Sequence, residues 1–174
     1  MKYLLVTLAL TGLLTTLQAQ SHFETLVERP NEKTLKGFLD RATLKADSTF
    51  KWFTENYTAY SPHKEGLASF QQYKDSIQLL VFMGTWCEDS HFIIPRLYAM
   101  IDAAGFAENR LTLIGVDRSK KSWGGITEVL SVKNVPTIII YHHGKELGRV
   151  VEYGKYGQFD REMGEILQGM QLKK

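Results

Sequence analysis

The 174-residue chain contains one cysteine, Cys87. A single thiol forms no disulfide within its own chain. A disulfide-stapled fold, a Cys-x-x-Cys dithiol centre and a cysteine-based zinc site are therefore excluded. An excess of either charge is lacking too, since 21 lysines and arginines against 19 aspartates and glutamates leave a formal net charge of +2. The basic residues are dispersed, whereas a phosphate backbone is bound by a concentrated basic face, which argues against nucleic acid as a partner. Beyond the N-terminal run no apolar stretch approaches the roughly 20 residues that span a bilayer. Internal repeats, low-complexity segments and Pro- or Ser-rich linkers are missing as well, so residues 20–174 read as a single domain. What is there, 44% hydrophobic and 23% charged residues, is the composition of a folded globular protein.

Lys2 precedes an apolar, threonine-containing run over 3–17, followed by Gln18-Ala19-Gln20. A basic start, an apolar middle and a small residue at the cleavage point are the pattern of a secretory signal peptide over residues 1–19. The run is too short and threonine-rich for a retained spanning helix, and no cysteine follows it to carry a lipid. The expectation is a secreted or periplasmic protein in a compartment where thiols tend to be oxidised.

Residues 20–33 are polar, with Pro30-Asn31 as a turn signal, and read as an exposed lead-in. The stretch 34–45 fits neither the helical nor the strand period cleanly and is open between the two. From Asp47, a capping residue, Phe50, Phe53, Tyr57 and Tyr60 recur at helical spacing, which predicts an amphipathic helix ending before Ser61-Pro62. Its aromatic row is expected in the core. A short helix is expected over 66–74. The near-continuous apolar run at 77–83, ended by Gly84, predicts a strand buried on both faces. A helix over 92–104 interrupted by Pro95, strands at 111–116, 136–141 and 149–152, a short helix at 124–132, a hairpin turn at His143-Gly144-Lys145 and a closing amphipathic helix at 159–168 complete the pattern. This order describes an α/β sandwich with a mixed central sheet, in which 20–76 form an N-terminal helical extension to a core at 77–174.

The chemistry concentrates in Gly84-Thr85-Trp86-Cys87-Glu88-Asp89-Ser90, between a strand and the helix that follows. Free N–H groups and the macrodipole at a helix N-terminus favour a thiolate at Cys87. The carboxylates of Glu88 and Asp89 oppose it by like charge. Ser90 is placed to donate a hydrogen bond to the sulfur, and Asp89 is also a candidate proton acceptor for it. His91 after Ser90 invites comparison with haem attachment, but that chemistry needs two cysteines. His142 and His143, adjacent at a strand end, are expected on opposite faces, where they do not share an ion. Neither metal nor cofactor is expected. Arg118, Lys120 and Lys121 read as a solvated loop, with attraction of an acidic substrate or of glutathione as the alternative.

Trp86-Cys87-Glu88-Asp89-Ser90 resembles the W-C-x-x-C active site of the thioredoxin family, with serine in place of the second cysteine. Pro95, eight residues after Cys87, matches the proline that kinks the family's active-site helix. Val135-Pro136-Thr137 resembles the loop in which a cis proline faces the nucleophilic sulfur and its neighbour pairs with substrate backbone. The segment 138–154 is similar to the family's last two strands and the glycine after them. The resemblance implies a thioredoxin-like three-layer sandwich, Cys87 as nucleophile with Ser90 and Asp89 beside it, and a substrate groove formed by Trp86, Val135, Pro136 and Thr137. Two departures qualify what it implies. Val81 stands where the family places a buried acid, and Ser90 replaces the resolving cysteine. A mixed disulfide at Cys87 then waits for glutathione, another small thiol or a second protein. The implied activity is monothiol exchange with thiols or disulfides of cell-envelope proteins. The alternative is a non-catalytic peptide-binding or chaperone-like module that keeps the groove around Trp86 and Pro136. A peroxidase-type reading would need an arginine and a threonine at the thiol that the sequence does not identify.

Overall fold

The apolar run Ile77–Met83 forms β3, an interior strand, and its side chains alternate between two cores. Ile77, Leu79, Val81 and Met83 enter a large core on one face, and Phe82 a smaller one on the other. Both faces are covered, which is why the run shows no polar alternation. The computed structural model describes residues 22–170, so the segment read as a signal peptide lies outside the described residues.

In chain order the elements are β1 (Phe23–Arg29), β2 (Glu32–Leu39), α1 (Arg41–Ala46), α2 (Trp52–Thr58), α3 (Lys64–Tyr73), β3, α4 (Glu88–Ala104), β4 (Leu111–Gly115), α5 (Ile126–Val129), β5 (Thr137–His142), β6 (Lys145–Val151) and α6 (Phe159–Gln168). One mixed sheet runs β1-β2-β4-β3-β5-β6. The β3–β4 pair is parallel, and the β1–β2, β2–β4, β3–β5 and β5–β6 pairs are antiparallel. The α/β sandwich is lopsided. Leu44 of α1, Phe53 of α2, Phe70 of α3, Ile94 and Leu97 of α4 and Met163 and Leu167 of α6 all pack on the large-core face. The small core opposite, with Phe82, Ile114 and Ile139, is covered by the four-residue α5 and the loops carrying Val116, Val132 and Val135.

The N-terminal extension is not purely helical. Residues expected as an exposed lead-in form β1 and, with β2, a hairpin that turns at Pro30-Asn31. As an edge strand with most of its side chains in solvent, β1 carries no apolar alternation in its sequence. The ambiguous stretch 34–45 contains two elements. A strand ends at Leu39, and the Asp40 side chain then caps α1 by accepting from the Thr43 N–H at 2.7 Å. The helix expected from Asp47 begins later, at Trp52, because Asp47 is occupied in the preceding turn. It accepts from the Thr49 N–H at 3.0 Å and from the Lys33 ammonium of β2. The aromatic row does enter the core, with Phe50 and Phe53 buried and Tyr57 and Tyr60 packed against them.

Other boundaries shift by a few residues. The helix expected from residue 92 begins at Glu88 and runs through Pro95, while β6 begins at Lys145 directly after the turn. The helix expected over 124–132 shrinks to α5 after a 3-10 turn at Trp123–Gly125, because Gly124 and Gly125 both take positive φ.

Candidate functional site

The site lies where the chain leaves β3 and enters α4. Gly84 lets it form, since a Cβ there would sit 2.6 Å from the Trp86 ring. The indole folds back over that position and donates Nε1–H to the Val116 carbonyl at 3.0 Å. Buried Thr85 ties the loop to β2. Its hydroxyl donates to the Lys33 carbonyl at 2.9 Å and accepts from the Leu35 N–H at 3.0 Å. The strand hidden in the ambiguous N-terminal stretch is thus a wall of the site.

Cys87 is the N-cap residue of α4, and its carbonyl accepts the first helical bond from the His91 N–H at 3.0 Å. The thiol is half-buried and donates to the Val135 carbonyl at 3.3 Å. The Val135–Pro136 peptide is cis. Cys87, Trp86, Val135 and Pro136 therefore converge. Thr137 follows as the first residue of β5, buried, its hydroxyl donating to the Asn134 carbonyl at 2.7 Å.

Two residues expected at the sulfur do other things. Ser90 is fully buried, and its hydroxyl accepts from the Gly84 N–H at 3.2 Å. Three residues into the helix it points back at the loop and holds it, and its bond there is to backbone, not to sulfur. Asp89 lies against Tyr153, whose phenol is raised above its ordinary range by burial first and then by hydrogen bonding with Asp89. On α4 Asp89 shares a face with Phe92, which packs on Tyr153 at 5.3 Å between ring centres, so that face turns towards the loop after β6. Val81 is fully buried in the large core.

Two residues that sequence reasoning set aside belong to the site. His91 stacks on Trp52, 4.3 Å between ring centres and 12° between planes, and bonds the Thr85 carbonyl through Nε2 at 2.7 Å. Burial lowers its pKa against the pull of that bond and of Glu88 and Glu32, so the ring is a neutral donor that pins the loop. Arg118 lies half-exposed in the loop after β4, but its side chain is engaged. Its guanidinium lies 5.1 Å from the centre of the Trp86 ring and grips Glu32 with two nitrogens, Nε at 2.6 Å. That grip holds the Glu32 carboxyl below the usual carboxylate range, and Glu32 in turn raises Arg118. A pairing across 86 residues has no local sequence signal. Lys120 donates to the Asn134 side chain at 3.1 Å.

The two adjacent histidines are not on opposite faces. His143 sits in the turn at φ +48°, which brings its ring 4.0 Å from that of His142. Among the described residues no group of three or more His, Cys, Asp or Glu side chains is arranged to hold a metal ion, and no helix is long and apolar enough to cross a membrane.

Comparison with protein-family models gives no match, and comparison with curated proteins gives none either. Among solved structures the chain is similar to an HIV epitope-scaffold protein, with a TM-score of 0.56, and to a protein of unknown function from Pseudomonas aeruginosa, with a TM-score of 0.57. Each is 14% identical, and each alignment covers 76% of this chain and 93% of the other. At that identity the likeness concerns the fold alone, a mixed α/β architecture.

Proposed function

We propose that this chain is an exported protein of thioredoxin-like fold that uses Cys87 as a single nucleophile in thiol–disulfide exchange with cell-envelope proteins. The observation that carries the reading is the half-buried Cys87 sulfur at the N-terminus of α4, 3.3 Å from the carbonyl of the cis Val135–Pro136 peptide. The attacking species is the thiolate. The thiolate adds to one sulfur of a protein disulfide, the old S–S bond breaks, and the departing sulfur leaves as a thiolate with the bonding electron pair. Loss of the thiol proton also frees the Val135 carbonyl, which can then accept from a substrate backbone N–H. Trp86, held by Val116 and Arg118, offers an apolar wall to the same chain. Ser90 supplies no second sulfur and Val81 no acid, so an external thiol such as glutathione attacks the mixed disulfide and regenerates Cys87. The signal-peptide pattern of residues 1–19 supports export.

Cys87→Ser should abolish exchange. Ser90→Cys should create a dithiol that closes an internal disulfide and reduces a test disulfide, and a folded but inert Ser90→Cys protein would show the loop geometry to be wrong for this chemistry. A non-catalytic peptide-binding module is the second reading, favoured by the burial of Ser90 and Val81 into structural roles. Partners captured equally well by Cys87→Ser would support it, and partners lost from that variant would count against it.

A further inference from the structure

The face of α4 that starts at Asp89 continues through Phe92 to Arg96, at helical spacing. It borders a cleft of about 280 Å³ closed on the other side by Tyr60, Gln158, Phe159 and Asp160. Among the described residues Arg41, Arg118, Arg149 and Arg161 each pair with a carboxylate, whereas Arg29, Arg96 and Arg110 do not, and of these three only Arg96 borders the cleft. Among the described residues it has only a 3.5 Å contact to the Asn56 side chain, and its buried Nε has no partner.

The carboxylate within the cleft is already engaged elsewhere. Asp160 accepts from the Tyr60 hydroxyl, from the His63 N–H at 2.5 Å and from the Arg161 N–H at 2.8 Å. The Arg96 guanidinium instead lies flat on the Phe92 ring, 3.2 Å from its centre, with the Tyr60 ring at 5.6 Å. Two aromatic faces hold a cation in place while leaving its planar edge of donors free, which suits a carboxylate.

We propose that this cleft binds an acidic side chain of the substrate protein, with Arg96 as its counter-charge, and so selects target cysteines about two to four residues from an aspartate or glutamate. The inference rests on the exchange reading above, whose substrate class it names. The spacing follows from the helix. Arg96 lies nine positions after Cys87, about 13 Å of rise, but its guanidinium rests on Phe92, five positions after Cys87 and about 8 Å of rise, so an extended peptide covers the span in about two to four residues. Side chains on a helix lean towards its N-terminus, and the contact of Arg96 with Phe92 shows that lean towards Cys87.

The test uses peptides with one cysteine and, two, three or four residues before or after it, Glu, Gln or Lys. In a first set serine replaces the cysteine, and affinity for the full chain is measured by fluorescence titration. Glu peptides should bind about tenfold tighter than Gln peptides in the favoured direction, Lys peptides weakest, and Arg96→Gln should bring the Glu-to-Gln ratio to about one. Equal affinity of Glu and Gln peptides for the unmodified protein, or no detectable binding of either, overturns the proposal without any variant having to fold. In a second set the peptide cysteine carries thionitrobenzoate. Attack of the Cys87 thiolate on the peptide sulfur releases coloured thionitrobenzoate, and the rates should follow the same order. Rates no faster than those of the urea-unfolded chain would overturn the exchange reading, while the affinity ratio would still decide the cleft.

Discussion

His91 shows how one side chain couples the site to pH. Its folded-state pKa is lowered from the ordinary 6.5 by burial against Trp52. A depressed value means the unfolded chain binds the proton more readily. The stability contributed by the neutral ring is therefore complete above about 6.5 and is lost as pH falls through the lower folded value. We expect the melting temperature to drop as pH falls below about 6.5, and to drop less in His91→Gln, which keeps a donor for Thr85 but does not titrate. Identical slopes in thermal melts of the two proteins would contradict this role. Ser90 is a second test at this scale. Ser90→Ala should cost about 1 kcal/mol in urea unfolding, because the buried Gly84 N–H loses its acceptor. The residues that converge at the sulfur were legible in the sequence because Trp86, Cys87 and Pro136 lie in short motifs of recognisable order. The partners of Asp89 and Ser90 were not, since Tyr153 and the Gly84 N–H meet them only once α4 has docked.

Among elements, the contact of α3 with α6 depends on two glycines. A Cβ at Gly164 would sit 2.7 Å from the Gly66 Cα, so Gly164→Ala should push the helices apart. Alanine is the better helix former by about 1 kcal/mol, yet the clash should leave the variant less stable by about 1–3 kcal/mol in denaturant titration. The join between β2 and the turn before α2 titrates as well. The Lys33 ammonium and then the Thr49 hydroxyl lower the Asp47 carboxyl from 3.8 to about 2. Its contribution is present above about 3.8 and lost as pH falls towards 2, so Asp47→Asn should destabilise at neutral pH and progressively less in acid. Elements with one dominant period were legible, β3 by its apolar run and α6 by its amphipathic stripe. β1 and β2 were not, because an edge strand exposes most of its side chains and β2 gives way to α1 within two residues.

At the scale of the whole molecule, the N-terminal hairpin extends the sheet beyond β4 and also builds one side of the site. Thr85 hangs on Lys33 and Leu35, and Arg118 on Glu32. Removing the hairpin should therefore unfasten the loop that carries Cys87, not merely trim an appendage. The α/β class followed from the alternation of apolar strands and amphipathic helices. The lopsidedness did not, because one short helix after two left-handed glycines has almost no sequence pattern. The exported form should begin at Gln20, which N-terminal sequencing of the processed protein checks directly.

The account turns on Cys87 being an accessible, activated nucleophile. The most direct measurement is its rate of mixed-disulfide formation with a small uncharged disulfide at neutral pH, in the folded protein and in the urea-unfolded chain. A faster reaction in the folded protein is the predicted result, since the exchange reading needs a sulfur that the start of α4 presents to solvent and leaves half open. A slower reaction in the folded protein would mean that the hydrogen bond to Val135 and the surrounding packing shield an idle thiol, and would contradict the exchange reading.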